Sequence, residues 1–356
     1  MIVPCSIYRG GTSKAVIFNE TDLPEKKEIW EDFILDVMGS PDKRQIDGLG
    51  GANSLTSKVA IIKKSKREGY DVDYTFVQVS IDKKLADFNN NCGNISSAVG
   101  PYAVDSNLIN TVEGLNSIKI YNTNTEKMIV SKVLVKNGKT IYAGNESIPG
   151  VPGKAAPVKL KFYSPQGAVT GKVLPTENPT DIINYKGKTI PISIVDSANP
   201  LVFVKASDLD LIGTEMPEEF TESKLKEIEE IRGIAAEMLG FCKKEESSIK
   251  SPAIPKFTIV SEPKDKSDIT VRMMSMQKPH KALAITGAVC ITTAALIKDT
   301  LVNSIVKTND NQIIMNSPSG LIQTEYEVEE GKIKNVEVLR TARLIMEGKV
   351  HTKREY

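Results

Sequence analysis

One thiol, Cys92, stands in the run Asn90-Asn91-Cys92-Gly93-Asn94, directly ahead of the small and apolar residues Ile95 to Gly100. The polar, glycine-bearing lead-in reads as a turn and the following residues as a helix. The thiol therefore falls at a helix start, where free N–H groups and the positive dipole end favour a thiolate. A thiol held there is an acid/base group, whereas a cysteine taken without context is more often an inert small hydrophobe. Lys58 is the second candidate: it closes the segment Asp47-Gly-Leu-Gly-Gly-Ala-Asn-Ser-Leu-Thr-Ser-Lys and is followed at once by Val-Ala-Ile-Ile. Most lysines are solvated surface charges. One at the mouth of a buried strand loses hydration, its pKa falls, and it becomes a proton carrier.

Turns rich in anion donors accompany these two groups. In Arg9-Gly10-Gly11-Thr12-Ser13-Lys14 the glycines let backbone N–H groups turn toward an anion, and Thr12 and Ser13 add hydroxyls. An ordinary hairpin turn reads the same way, and the GxxxxGK[ST] spacing of a phosphate loop is missing. Gly51, Asn53 and Ser54 form a second such turn before Lys58. In the second half, Arg272 is either a bidentate carboxylate clamp or a plain surface residue. His280, after Pro279, reads as substrate-orienting or structural, and Lys281 and Thr286 flank the turn before Gly287. Asn316 to Gly320 reads as a hairpin connection.

Composition narrows the chemistry. Forty-six Lys and Arg residues against 45 Asp and Glu, with a net charge of +1, provide no basic face for nucleic acid. Partners are therefore expected to be small molecules. The four cysteines, Cys5, Cys92, Cys242 and Cys290, have neither CxxC nor Cys/His spacing, which argues against zinc and a disulfide framework. With only His280 and His351, a mechanism resting on several histidines is excluded by count. The opening Met-Ile-Val-Pro-Cys lacks a charged region and an apolar run, and Ala282 to Ile297 is shorter than a membrane span needs. The expectation is a cytoplasmic protein that binds neither membrane nor nucleic acid, with an exposed sheet edge that would permit a homodimer.

The elements that must hold these groups form a sheet-rich chain. Strand-like segments recur at 3–8, 14–18, 59–63, 73–79, 117–121, 128–136, 158–163, 189–195 and 201–204, and helical patterns cover 28–38, 96–104, 222–239 and 288–298. The two halves resemble each other. Residues 79–104 run strand, Cys-Gly-Asn turn and apolar helix, and residues 274–298 run strand, Thr286-Gly287 turn and a second apolar helix. A helix apolar on nearly all faces belongs inside a wrapped sheet rather than on a surface. At 356 residues, two domains are expected: residues 1–185, completed by about 336–356, and residues 186–335.

Taken in order, Arg-Gly-Gly-Thr-Ser-Lys, Gly-Leu-Gly-Gly-Ala-Asn-Ser-Leu-Thr-Ser-Lys, Asn-Cys-Gly-Asn and His-Lys-Ala-Leu-Ala-Ile-Thr-Gly-Ala-Val-Cys resemble the methylaconitate isomerase and methylitaconate delta-isomerase family, from residue 5 to about residue 345. The resemblance implies an α+β, diaminopimelate-epimerase-like fold of two pseudo-symmetric domains, each a sheet wrapped round a central apolar helix, with the active site between them. It implies cofactor-free proton transfer by Lys58 and Cys92 and no metal. Thr12, Ser13, Gly51, Asn53, Ser54, Gly93 and Asn94, with Arg272, His280, Lys281 and Thr286, would bind the substrate. Epimerases of this fold carry a cysteine at each of two helix starts. Here the second start reads Ala284-Ile285-Thr286-Gly287, with Cys290 beyond it, which disfavours two-thiol racemisation. The expected substrate is an unsaturated di- or tricarboxylic acid whose double bond moves by allylic proton transfer. The sequence leaves open which of Lys58 and Cys92 is the base. An amino-acid epimerase of the same fold and a non-catalytic carboxylate-binding protein are the alternatives.

Overall fold

The computed structural model describes residues 1–89, 91–307 and 310–356; Asn90, which opens the Cys92 turn, lies outside the described residues, as do Thr308 and Asn309. The chain divides into two compact units, Met1–Lys161 with Leu339–Tyr356, and Phe162–Val338. Residues 162–185, expected with the first domain, fall in the second unit. A boundary at 185 would cut the tight antiparallel hairpin in which Tyr185 pairs with Lys188.

The first unit is built from β1 (Ile2–Gly10), β2 (Ser13–Asn19), α1 (Trp30–Met38), β3 (Lys58–Lys64), β4 (Val72–Val79), the short β5 (Ala86–Asp87), α2 (Gly93–Asp105), β6 (Gly114–Asn122), β7 (Lys127–Lys136), the short β8 (Lys139–Thr140) and the start of β9 (Pro157–Tyr163), whose last two residues belong to the second unit. β1 and β2 pair antiparallel, β2 and β3 parallel, β3 and β4 antiparallel, β4 and β6 parallel, and β6 and β7 antiparallel. Strand alternation gives the sheet two apolar faces. Val16, Phe18, Val59, Ile61 and Val77 pack with Trp30, Phe33 and Ile34 of α1, so Lys58, Ala60 and Ile62 point to the opposite face. That face meets α2, which touches β1, β2, β3, β6 and β7.

Every residue of α2 is buried, as the all-round apolar pattern required. Small residues let the strands close on it: a Cβ on Gly100 would come within 2.5 Å of Ser131 Oγ.

The second unit contains β10 (Asp181–Tyr185), β11 (Lys188–Ser197), β12 (Asn199–Lys205), α3 (Glu222–Met238), α4 (Ser247–Lys250), β13 (Lys256–Ser261), β14 (Ile269–Ser275), β15 (Lys278–Pro279), α5 (Ile285–Leu296), α6 (Leu301–Ile305), β16 (Gln312–Ser317), β17 (Gly320–Glu329) and the start of β18 (Lys332–His351). The pairing sequence of the first unit recurs: β11/β12 antiparallel, β12/β13 parallel, β13/β14 antiparallel, β14/β16 parallel and β16/β17 antiparallel. α3 stands where α1 stands, between the second and third strands of its repeat, and packs on Val202, Val204, Phe257 and Ile259 through Ile228, Ile231 and Ala235. α5 is the counterpart of α2. The internal repeat around the two glycine turns therefore extends through five successive strand pairings.

Candidate active site

Lys58 opens β3 directly opposite Gln78 on β4. Its side chain is buried, with Nζ donating to Gln78 Oε1 at 2.5 Å and standing 5.1 Å from the Phe76 ring centroid. Gln78 is itself fixed, because its Nε2 donates to the carbonyls of Ser54 at 3.2 Å and Ser57 at 3.0 Å. Only the amide oxygen is left to face the amine. Burial pushes the Lys58 pKa down, and the charge of Cys92 acts on it in the opposite direction. The two candidate proton carriers are thus electrostatic neighbours inside one unit.

Cys92 is the N-cap residue of α2, in extended conformation (φ −128°, ψ 96°), and no side chain caps the helix. The thiol is half-buried. The Cys92 carbonyl accepts from Ser96 N at 3.0 Å and Ser96 Oγ at 3.1 Å, which leaves the earlier first-turn N–H groups without intrahelical acceptors. Tyr74, on the same face of β4 as Phe76 and Gln78, is fully buried, and burial together with the Cys92 charge drives its pKa well up. It stays a protonated phenol beside the thiol.

The hairpin between β1 and β2 presses on this helix end. Gly11 has φ +51°, and a Cβ there would lie 2.1 Å from Asn94 Oδ1, so both the backbone conformation and the contact require glycine. Thr12 N donates to Asn94 Oδ1 at 3.4 Å. Among the described residues, Thr12 Oγ1 and Ser13 Oγ are buried without a hydrogen-bond partner. Two such hydroxyls at a helix N-terminus suit the oxygens of a carboxylate.

The first unit thus assembles Thr12, Ser13, Lys58, Cys92, Gly93 and Asn94. Ser54 joins them through its carbonyl on Gln78. Asn53 Oδ1 accepts from Leu55 N at 2.9 Å, which shapes its own turn, and Gly51 is exposed. The turn that holds both is shaped by Gln45, which bonds Ser40, Ser57 and the Ala52 N–H.

The residues expected from the second half all lie in the second unit. Arg272 on β14 is neither a clamp nor a surface residue: it is buried, and its guanidinium donates to the carbonyls of Glu215, Val271, Thr214 and Asn316. With those donors on the main chain, it ties strand to loop. His280 is buried, its Nδ1 accepting from Ala282 N at 3.0 Å and its backbone N–H donating to Met273 O at 2.8 Å, so it fixes the approach to α5. Thr286 Oγ1 accepts from Asn199 Nδ2 at 3.0 Å, and Lys281 is exposed. Cys290 lies inside α5, fully buried, with Sγ donating to Val195 O at 3.2 Å; burial raises its pKa well above the ordinary thiol range.

Gln78 and Tyr74 escaped the sequence reading. The signal for Gln78 was present, as an amide in the same register as Tyr74 and Phe76 on β4.

A family model described as PrpF protein matches residues 1–353. The chain belongs to the PrpF family. It is 48% identical to YraM of Bacillus subtilis (strain 168), over 99% of this chain and 98% of that protein. It is 42% identical to a 3-methylitaconate isomerase of Eubacterium barkeri, again over 99% and 98%. A crystal structure of methylitaconate-delta-isomerase superposes with a TM-score of 0.81 and 41% identity, covering 99% of this chain and 96% of that one. A hydroxyproline epimerase from Agrobacterium vitis matches at a TM-score of 0.61 with 10% identity, covering 98% and 92%. That likeness concerns the fold alone, and it is the α+β, diaminopimelate-epimerase-like fold expected from the sequence. Among the described residues no helix is long and apolar enough to cross a membrane.

Proposed function

We propose that this PrpF-family chain is a cofactor-independent isomerase that moves a carbon–carbon double bond in an unsaturated di- or tricarboxylic acid by allylic proton transfer. The observation that carries the reading is Lys58, buried and held by a neutral acceptor, electrostatically coupled to Cys92 at the N-cap of α2. One of the pair removes the proton from the carbon between a carboxylate and the double bond. The electron pair of that C–H bond spreads into a dienolate, the other group returns a proton at the distal carbon, and a proton passing back from the first group to the second resets the pair, so the double bond shifts with no net change in the enzyme's protons. Thr12, Ser13, Gly93 and Asn94 hold carboxylate oxygens. The N–H groups of the α2 terminus stabilise the developing charge, a contribution of about 3–4 kcal/mol for each well-placed donor.

Similarity to a protein named 3-methylitaconate isomerase makes methylitaconate the first substrate to test, ahead of methylaconitate, aconitate and oxalomesaconate. The experiment follows each acid by its conjugated ultraviolet absorbance and its uptake of solvent deuterium. Turnover of one of them, lost by roughly 10²–10⁴-fold in Cys92→Ser and Lys58→Ala, is the expected result. Full activity in both variants would overturn the proposal.

A further inference from the structure

Arg9 belongs to the same glycine turn as Thr12 and Ser13 yet has no part in the proton transfer. It is the direct cross-strand partner of Arg343 on β18. Like charges placed opposite one another on a sheet repel, and among the described residues neither arginine makes an ion pair. Arg9 is half-buried and directs Nη1 to the carbonyls of Gly11 and Thr341 and to Thr341 Oγ1, which leaves Nε and Nη2 without a hydrogen-bond partner among the described residues. Burial and the neighbouring Arg343 both lower its pKa.

Both arginines line a cavity of about 330 Å³ in the first unit, together with Tyr142, Glu146, Gly153 and Lys154. Three basic side chains thus face one acidic one. The rest of the wall is held by hydrogen bonds. Glu146 and Ala155 exchange two backbone hydrogen bonds at 3.0 Å, Ala156 N donates to Tyr142 O at 2.8 Å, and the Tyr142 hydroxyl is anchored on Asp105. A cavity of this size takes a small molecule, and paired guanidiniums match planar or tetrahedral oxyanions.

We propose that this cavity is a second anion site, separate from the Lys58–Cys92 centre, that takes a small multivalent oxyanion, carboxylate or phosphate, between Arg9 and Arg343. The guanidinium that would hold the anion also fixes the Gly11 turn against Asn94, so the site is anchored to the proton-transfer centre through one residue.

The test is calorimetric titration of the intact chain with citrate and, separately, with inorganic phosphate. The probes are titrated into wild type, Arg343→Gln, Lys154→Gln and Lys58→Met. We expect at least one probe to bind wild type and Lys58→Met alike, with binding weakened roughly 10–100-fold in Arg343→Gln, the equivalent of one charge-assisted hydrogen-bonded contact, and less in Lys154→Gln. Binding of citrate alone assigns a polycarboxylate, and binding of phosphate alone assigns a phosphate group. Absence of binding by both probes, affinity unchanged in Arg343→Gln, or binding abolished by Lys58→Met overturns the proposal. Arg343 is exposed and its variant keeps the fold, so a loss of binding reports the site.

Discussion

Gln78 offers the sharpest test of the proton-transfer centre, because it touches Lys58 and is itself held by two main-chain carbonyls. Whichever of Lys58 and Cys92 abstracts and whichever donates, the active pair holds one proton fewer than the fully protonated pair, so the acid limb of the pH–rate profile belongs to the pair. Gln78→Met removes the acceptor at 2.5 Å from Nζ. A hydrogen bond to a charged group is worth about 1.5–3 kcal/mol. At about 1.36 kcal/mol per pKa unit, losing it disfavours the ammonium by roughly 1–2 units, and the limb moves to lower pH. Gln78→Glu places an opposite charge at the same point and moves the limb up by roughly 1–3 units. Both variants also strip donors from Ser54 O and Ser57 O. Ser57 O keeps its bond from Val79 N at 3.1 Å, so the stability loss falls mainly on Ser54 and is about 1–3 kcal/mol, measured by urea titration. The assay is kcat against pH for each variant, with melting curves as the control. Movement in opposite directions is expected. A limb that rises in Gln78→Glu but stays in Gln78→Met assigns it to Cys92 rather than Lys58, and a limb unmoved in both variants refutes the reasoning.

Gly11→Ala combines a left-handed backbone with a 2.1 Å collision on Asn94 Oδ1; kcat should fall by 10²-fold or more, the scale of a misplaced catalytic group, while circular dichroism remains that of the folded chain. Arg272→Met should lower stability by about 3 kcal/mol or more, since several buried carbonyls lose their donor, yet leave KM per folded molecule unchanged; a KM rise without destabilisation would restore the carboxylate-clamp reading. Lys58 has a folded pKa below its unfolded value, so the unfolded chain binds more protons between the two, and wild-type stability rises with pH through that window up to about 10.4. Lys58→Met lacks that slope, and denaturation at several pH values should show its advantage over wild type shrinking as pH rises. Iodoacetamide should modify Cys92 and abolish activity while Cys290, buried in α5, stays unmodified by peptide mass mapping.

The sequence disclosed what is local. A polar glycine turn running into an all-apolar segment locates α2 and puts its thiol at the N-cap, and a lysine followed at once by apolar residues marks the entry to a buried strand. What escaped it depends on distant partners. Arg272 looks the same on paper whether it meets a ligand or the carbonyls of Thr214, Glu215 and Asn316, segments remote from it in the chain. Gln78 gains its importance from Lys58 and Ser54, brought beside it by the β3–β4 register. The long strand β18 was hidden by its charges: after Ala342 its residues are mostly exposed or half-exposed, so neither alternation nor apolar content announces it. The division at 161/162 was missed for a related reason, since the Pro/Gly-rich stretch ending at Pro157 leads directly into β9, and the turn near 187 closes a hairpin.

The repeat of strand order in the two units bears on the type of reaction. β3 opens on Lys58 and its counterpart β13 opens on Lys256, whose Nζ donates to Ala253 O at 3.1 Å. α2 is capped by Cys92 and its counterpart α5 by Ala284. Inverting a saturated stereocentre needs a proton donor and a proton acceptor on opposite faces of one carbon, which a thiol at each helix start would supply. This chain carries the strand pairings of both halves and a helix-start thiol in only one, and the charge of that thiol acts on a buried amine in its own unit. Two candidate proton carriers on one unit suit removal and return of a proton at two different carbons of a planar, delocalised intermediate, as an allylic shift needs. Installing the second thiol as Ala284→Cys should therefore leave the isomerase rate within a few-fold of wild type and confer no racemisation of amino acids, read by chiral chromatography; appearance of racemase activity would show that the missing thiol alone separates the two chemistries.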